Sequence, residues 1–256
     1  MSKIMGRAQK GLQRRTNIHS YTINIIDRIS GAWERMEEMG VLRIEIVKAF
    51  DNVDHEFIRK TLCFFNFGNW MVDMVMAILK NRVARVAVGE SYSESFEIQR
   101  GTPQGVRSSP FIFILCQEIL LIKIRSKLGN GINYTEFLGD WIRENDMGNE
   151  GTSESYADDL TLLFKMDPES MVIIMEVMEC FRLVSGLELN KGKTQSMVVG
   201  GENYVIGAEI AGIVVVEQVK VLGIYTGNWK IWMKTGNWQY TKWSNWQIFG
   251  KFRCCL

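Results

Sequence analysis

Apolar residues fall at helical spacing in "NIHSYTINIIDRISGAWERM", where Ile18, Tyr21, Ile25 and Ile29 share one face, and the spacing predicts a helix. The period then changes. In "VLRIEIVKAF", Leu42, Ile44 and Ile46 alternate with Arg43, Glu45 and Val47, which predicts a strand. Asp54 is an N-cap residue for a helix whose inward face is Phe57, Ile58, Thr61, Leu62 and Phe65. "NWMVDMVMAILKNR" predicts another helix, and "RVAVGESYSESFEI" predicts two strands around a Gly-Glu-Ser turn. Ser109 and Pro110 supply N-cap and N1 of a helix to about Lys127, with Phe111, Ile114, Leu115, Ile119 and Ile122 inward. Residues 129–152 are polar and glycine-rich and read as a loop. A buried strand follows within "SESYADDLTLLF", then a helix over 168–184 and a turn at Ser185-Gly186. Strands are predicted near 195–199, 203–206 and 213–216. The mixture is α+β with antiparallel strands.

The chain has 256 residues, enough for one large domain or two small ones with a substantial core. A formal net charge of +1 points to no particular partner. Its distribution is more informative. Lys3, Arg7, Lys10, Arg14 and Arg15 precede the first acid of the chain, which fits either a phosphate-binding edge or a solvated N-terminal arm. Cys63, Cys116, Cys180, Cys254 and Cys255 form no C-x-x-C pair, and only His19 and His55 could join them, so a structural zinc site is not expected. The scattered thiols suit a reducing compartment, and no signal peptide is visible, so the expected location is intracellular, nucleus or cytoplasm undetermined. The longest apolar stretch, Phe111–Cys116, ends at Gln117 and Glu118, far short of the ~18 apolar residues of a membrane span. TGNW occurs at 226–229 and 235–238 and SNW at 244–246, a weak repeat that fits a helix pair with aromatic anchors equally well.

Asp158 and Asp159 are adjacent, and adjacent like charges repel. Such a pair serves as an acid/base dyad, holds divalent cations, or sits in a solvated turn. Neighbours on an extended strand point to opposite faces, so both serve one site only if a tight turn carries them. Bound cations would offset the repulsion, and a third acid from another strand would complete the site.

Such an acid lies in "IEIVKAFDNVDHEF", which resembles the first palm motif of reverse transcriptases, an Asp, three residues, then Ala-Phe-Asp. "RGTPQGVRSSPFIF" resembles the second motif, "YADD" the third, "SGLELNKGKT" the fourth and "VKVLGI" the strand after it. "QKGLQRRTNIHSYTINII" is similar to the fingers segment, and "WSNWQIFGKF" to the start of the thumb in LINE-type retrotransposons, which lack long terminal repeats. The matches run in order along nearly the whole chain.

The resemblance implies a right-hand polymerase fold, an antiparallel palm sheet backed by helices. Residues 1–40 would be partial fingers, 41–225 the palm and 226–256 the start of a truncated thumb. It implies an RNA-directed DNA polymerase adding dNTPs to a DNA primer on an RNA template with two Mg2+ ions, or Mn2+ in their place. By the same resemblance, Glu45, Asp158, Asp159 and the Ile46 carbonyl would hold the metals. Phe50 would be a steric gate against the ribose 2′-hydroxyl. Gln104 and Gly105 would line the nucleotide pocket, Lys193 would protonate the leaving pyrophosphate, and Arg14 and Arg15 would face the triphosphate. Tyr156 would support the hairpin on the primer side. Phe50 and Tyr156 equally suit core aromatics, Lys193 a turn, and the two arginines a solvated surface. Asp51 reads as helix N-terminal structure and not as a metal ligand.

Four departures qualify the resemblance. Glu45 stands where the family has Asp, adding one methylene, ~1.5 Å of reach, and polymerisation is expected to be severely reduced. "TSES" at 152–155 replaces an apolar strand. Arg107-Ser108 replaces Pro-Leu. The chain starts inside the fingers and stops just after "GKF" at the start of the thumb, so it reads as a fragment or decaying copy, and the competing expectation is an inactive remnant that keeps the palm and at most binds nucleic acid. A phosphotransferase of another kind is disfavoured because no G-x-x-x-x-G-K-[ST] loop occurs.

Overall fold

The computed structural model describes residues 18–130, 153–156, 159–200, 204–221 and 224–227. The first helix, α1 (Ile18–Glu34), leads into strand β1 (Met39–Ile44), a short helix α2 (Ala49–Asn52), then α3 (His55–Phe64) and α4 (Asn69–Leu79). Four short strands follow: β2 (Arg82–Ala84), β3 (Ala87–Val88), β4 (Ser91–Tyr92) and β5 (Phe96–Ile98). The long helix α5 (Ser108–Asn130) precedes β6 (Ser153–Tyr156) and β7 (Asp159–Lys165). Helix α6 (Pro168–Ser185) then gives way to β8 (Gln195–Val199), β9 (Glu209–Ile210), β10 (Ile213–Val214), β11 (Gln218–Val221) and β12 (Ile224–Gly227).

The central sheet has the order β6-β7-β1-β8, and every pairing in it is antiparallel. Successive strand residues face opposite sides, so β1, β7 and β8 each feed two cores. Leu42, Ile44, Leu160, Leu162, Phe164 and Val198 join the larger core with α3, α5 and α6. Val41, Leu163, Met197 and Val199 join a smaller one with Ile25 and Ile29 of α1 and Val219 and Val221 of β11. The expected antiparallel palm sheet backed by helices is what forms.

Local signals explain the boundaries. Asp54 caps α3 by accepting from the Phe57 amide at 2.9 Å. Asp167 caps α6 by accepting from the Ser170 amide at 2.6 Å, and Gly186, with φ of 73°, ends that helix in the left-handed region.

Several expectations are corrected. The strand expected over 41–50 stops at Ile44. Ile46 adds an isolated bridge to Leu189, and Lys48, at φ 43°, turns the chain into α2. Helix α5 begins at Ser108 and not at a Ser109 cap: the Ser109 hydroxyl donates to the Pro103 carbonyl instead. Nor is one face of α5 inward. Residues 112–121 are all buried, Gln117 and Glu118 included, because α5 runs through the centre of the molecule, while Phe111 and Ile122 are only partly covered. Glu118 is tolerated there through its ion pair with Arg125 at 2.5 Å. In 204–206 the chain turns, leaving Val205 and Ile206 exposed, where the sequence predicts a strand. The hairpin around Gly89 forms, interrupted between β2 and β3 and between β4 and β5. Gly129 and Asn130, expected in a loop, belong to α5. The rest of that expected loop, 131–152, and the tryptophan-rich tail lie outside the described residues, apart from the start of the tail at 226–227.

Among the described residues no helix is long and apolar enough to cross a membrane. Cys116, fully buried in α5, has its thiol pushed up to about 12 by burial, whereas Cys63 and Cys180 are exposed. The thiolate is the reactive species. At pH 8, iodoacetamide is therefore expected to label Cys63 and Cys180 and leave Cys116 untouched until denaturant is added, as peptide mass mapping would show.

Candidate functional site

The end of β1 is held on both sides. Its last matched pair with β7 is Ile44 with Leu160. One step further along the same register, Glu45 comes level with Asp159, the first residue of β7. Tyr156 pairs with Asp159 across the β6–β7 hairpin, and Ala157 and Asp158 are the two residues between them in sequence. Asp158 itself lies outside the described residues, as do Arg14 and Arg15, and of Asp159 and Tyr156 only the backbone is described.

On its other side β1 meets the segment before β8. The Asn190 amide donates to the Glu45 carbonyl at 2.8 Å, and the Val47 amide donates to the Glu188 carbonyl at 2.9 Å. The Glu45 amide donates to the Thr194 hydroxyl at 3.2 Å. Residue 45 is thus fixed through both its backbone N–H and its C=O.

The Glu45 side chain is half-buried, and each of its oxygens faces a cation. Arg43 Nη2 donates to Oε2 at 3.3 Å, and Lys193 Nζ lies 3.8 Å from Oε1. Arg43 and Glu45, two apart on a strand, share one face, the face of Val41. Lys193 reaches them from the turn after Asn190, where the amides of Lys193 and Thr194 close back on the Asn190 carbonyl. Glu45 and Lys193, expected together from the sequence, are together. Ile46 turns its side chain into the larger core, which leaves its backbone as the group available at the site.

A second cluster is built where the loop after β5 meets α2. The Thr102 amide and hydroxyl both donate to the Phe50 carbonyl, at 2.7 and 3.3 Å, and the Gly101 amide donates to the Val53 carbonyl at 2.8 Å. Gly101 has φ of +78°, and a Cβ there would run into the Asp51 backbone. Phe50 is half-buried with its ring 4.6 Å from that of Phe113, a core-edge aromatic. Gln104 and Gly105 are exposed, and Gln104 Nε2 donates to the Asp51 carboxylate at 3.2 Å. Asp51 is therefore more than helix-end structure. It positions a residue expected in the nucleotide pocket.

Arg82 at the root of the β2–β5 hairpin locks this loop. Its Nε donates to the Leu79 carbonyl at 3.0 Å, and Nη2 donates to the carbonyls of Gly101 at 2.6 Å and Arg100 at 3.2 Å. His55 Nε2 lies 3.0 Å from the same Gly101 oxygen. The same Nε2 lies 3.4 Å from Arg82 Nη2, so His55, Arg82 and the Gly101 carbonyl form one cluster. Burial lowers the pKa of Arg82 from the ordinary guanidinium value. Asp51, Arg82, Ile98, Arg100, Pro103 and Gln104 line a groove of about 470 Å3 beside the loop.

Sequence reasoning missed Arg43, Thr194, Arg82 and His55. For Arg43 a signal is present, since strand alternation puts it on the face of Glu45. The other three meet their partners only through long-range folding.

The Glu45 carboxylate is a hard oxygen donor of the kind that divalent cations take. The described residues alone contain no cluster of three acidic, histidine or cysteine ligands.

The sequence model of the family "Reverse transcriptase (RNA-dependent DNA polymerase)" matches residues 2–226. The chain is 28% identical over 199 residues to the Retrovirus-related Pol polyprotein from type-1 retrotransposable element R2 of Popillia japonica, covering 77% of this chain and 26% of that protein. It is 25% identical over 197 residues to the corresponding polyprotein of type-2 element R2DM of Drosophila melanogaster, covering 72% of this chain and 17% of that protein. The chain thus spans only a minor part of the length of these relatives. The fold resembles telomerase from Candida albicans, solved with a fragment of telomeric RNA, with a TM-score of 0.59 at 11% identity over 87% of this chain and 34% of that one. Apo telomerase from Candida tropicalis gives a TM-score of 0.57 at 12% identity, over 86% of this chain and 39% of that one.

Replacing Arg82 by Met removes its carbonyl bonds while keeping a stem of similar bulk. With charged hydrogen bonds worth about 1.5–3 kcal/mol each and partly replaced by water, a loss of about 2 kcal/mol is expected in urea unfolding. Faster hydrogen exchange at the Thr102 amide is expected with it. Gly101→Ala is expected to cost at least about 2 kcal/mol by the same assay, from the left-handed φ and the collision with Asp51.

Proposed function

The chain belongs to the reverse transcriptase (RNA-dependent DNA polymerase) family, and from that premise we propose that it is the palm-centred part of a retrotransposon polymerase that extends a DNA primer on an RNA template with dNTPs. Enzymes of this family work with divalent metals; two Mg2+ ions, with Mn2+ as substitute, are the proposal for this chain. The observation that supports it most is the meeting of three distant segments at one end of β1: Glu45, the β6–β7 hairpin and Lys193.

Glu45, Asp158, Asp159 and the Ile46 carbonyl would hold the ions. When bound, such ions activate the primer hydroxyl and stabilise charge on the leaving pyrophosphate. The remaining work falls to the chain itself. Lys193, with its ammonium exposed beside Glu45, would donate a proton to the departing group. Phe50, braced by Phe113, would exclude a ribose 2′-hydroxyl. Gln104, oriented by Asp51, and Gly105 would flank the incoming nucleotide. Arg14 and Arg15 would meet the triphosphate, and Tyr156 the primer side. The domain division into fingers over 1–40, palm over 41–225 and thumb from 226 belongs to the same proposal, as does an intracellular location.

A second reading is an inactive remnant that keeps the fold and at most binds nucleic acid. It is favoured by Glu45 in place of Asp and by the cations at both its oxygens. Primer extension on a primed RNA template, compared in Mg2+ and Mn2+, separates the two. Glu45→Asp is expected to raise dNTP incorporation by about 10- to 100-fold, the scale of a misplacement near 1 Å. If neither version incorporates dNTPs with either metal, the remnant reading stands.

A further inference from the structure

Glu45 is the first-motif acid of the proposed metal site, yet its carboxylate is spoken for. Arg43 Nη2 is hydrogen-bonded to Oε2 at 3.3 Å, and Lys193 Nζ lies 3.8 Å from Oε1. The two cations differ in kind. Lys193 sits on a turn, 68% exposed, and is not at hydrogen-bond distance, so it can swing away at little cost. Arg43 is only 24% exposed and rises from the same strand face two residues before Glu45. The backbone that carries it is paired along both edges of β1 at that residue.

We infer that Arg43 is a built-in competitor of the divalent cation: it occupies the Glu45 carboxylate in the metal-free protein and weakens metal binding at this site. The inference rests on the reading of Glu45 as a metal ligand. A metal ion arriving at Glu45 must displace the guanidinium from Oε2 and then sit beside its positive charge. A unit charge about 5 Å from a divalent ion, screened as in water, changes affinity by about tenfold. The effect shrinks as salt rises, since both side chains are partly exposed.

The test is Mn2+ binding to the full chain without nucleic acid, read as the loss of the free Mn2+ resonance in electron paramagnetic spectra. Arg43→Met is expected to bind Mn2+ about tenfold more tightly than the unaltered chain. Arg43→Lys, which keeps the charge, is expected to stay within about threefold. Glu45→Gln is expected to lose the site, and Arg43→Met added to Glu45→Gln is expected to restore nothing. If Arg43→Met binds no more tightly while Glu45→Gln still abolishes binding, the competitor role is overturned and the metal role of Glu45 survives. If Glu45→Gln binds as the unaltered chain does, Glu45 is no ligand and both fall together.

A measurement on the unaltered chain covers the case in which Arg43→Met does not fold. With arginine labelled by 15N, Mg2+ titration is expected to shift the Arg43 side-chain signal as Glu45 is released. A signal that stays fixed while Mg2+ saturates the site overturns the inference.

Discussion

β1 is hydrogen-bonded to β7 along one edge and to β8 along the other, and its two faces feed two separate cores. Both constraints act on register. A slip of one residue would turn every side chain of β1 to the opposite face. Leu42 and Ile44 would leave the core of α3, α5 and α6, and Glu45 would enter it as an unpaired charge, at a cost of several kcal/mol. The apolar residues of β1 therefore fix where the carboxylate points, although none of them touches it. The backbone bonds from Asn190 and to Thr194 then stop residue 45 from moving along or out of the sheet.

The loop from Gly101 to Gly105 obeys a different logic. It has no strand to hold it, so its position is set by carbonyls: those of Phe50 and Val53 accept from it, and its own Gly101 carbonyl accepts from Arg82 with the His55 ring beside it. The segment just after β1 and the loop before α5 thus form one unit. A side chain at Gly101 would pry them apart at Asp51. Arg82 extends that unit to the root of the β2–β5 hairpin through the carbonyls of Arg100 and Gly101. The groove of about 470 Å3 lies between these parts, and its shape depends on that lock.

How far the sequence reveals this depends on the range of the interaction. The alternation of Leu42, Arg43, Ile44 and Glu45 is local, and it separates the face of the larger core from the face that carries Arg43 and Glu45. The caps at Asp54 and Gly186 are local too. Helix α5 departs from its expected pattern because periodicity reports one buried face, and a helix enclosed on all sides has no periodic contrast to detect. Val205 and Ile206 mislead because two apolar residues in a row look like a strand until an exposed turn takes them. The site itself is legible only through the order of its motifs. Composition and spacing leave Asp158-Asp159 open among several uses, and nothing local ties Lys193 or Thr194 to Glu45.

The Glu at position 45 and the Arg at position 43 have to be read together. Residues two apart on a strand are separated by about 6.6–6.8 Å, so two side chains on one face meet only if both are long or both lean. An aspartate at 45 would hold its carboxylate closer to the backbone and farther from a guanidinium two residues back. Glutamate adds about 1.5 Å and one more rotatable bond, and with them the freedom to fold along the strand toward Arg43. The same methylene that loosens the aim of the carboxylate toward the hairpin therefore strengthens its attachment to the arginine. The two effects draw the carboxylate in one direction. The resting geometry of Glu45, held between Arg43 and Lys193, is the outcome expected of that pair of residues and not of either alone.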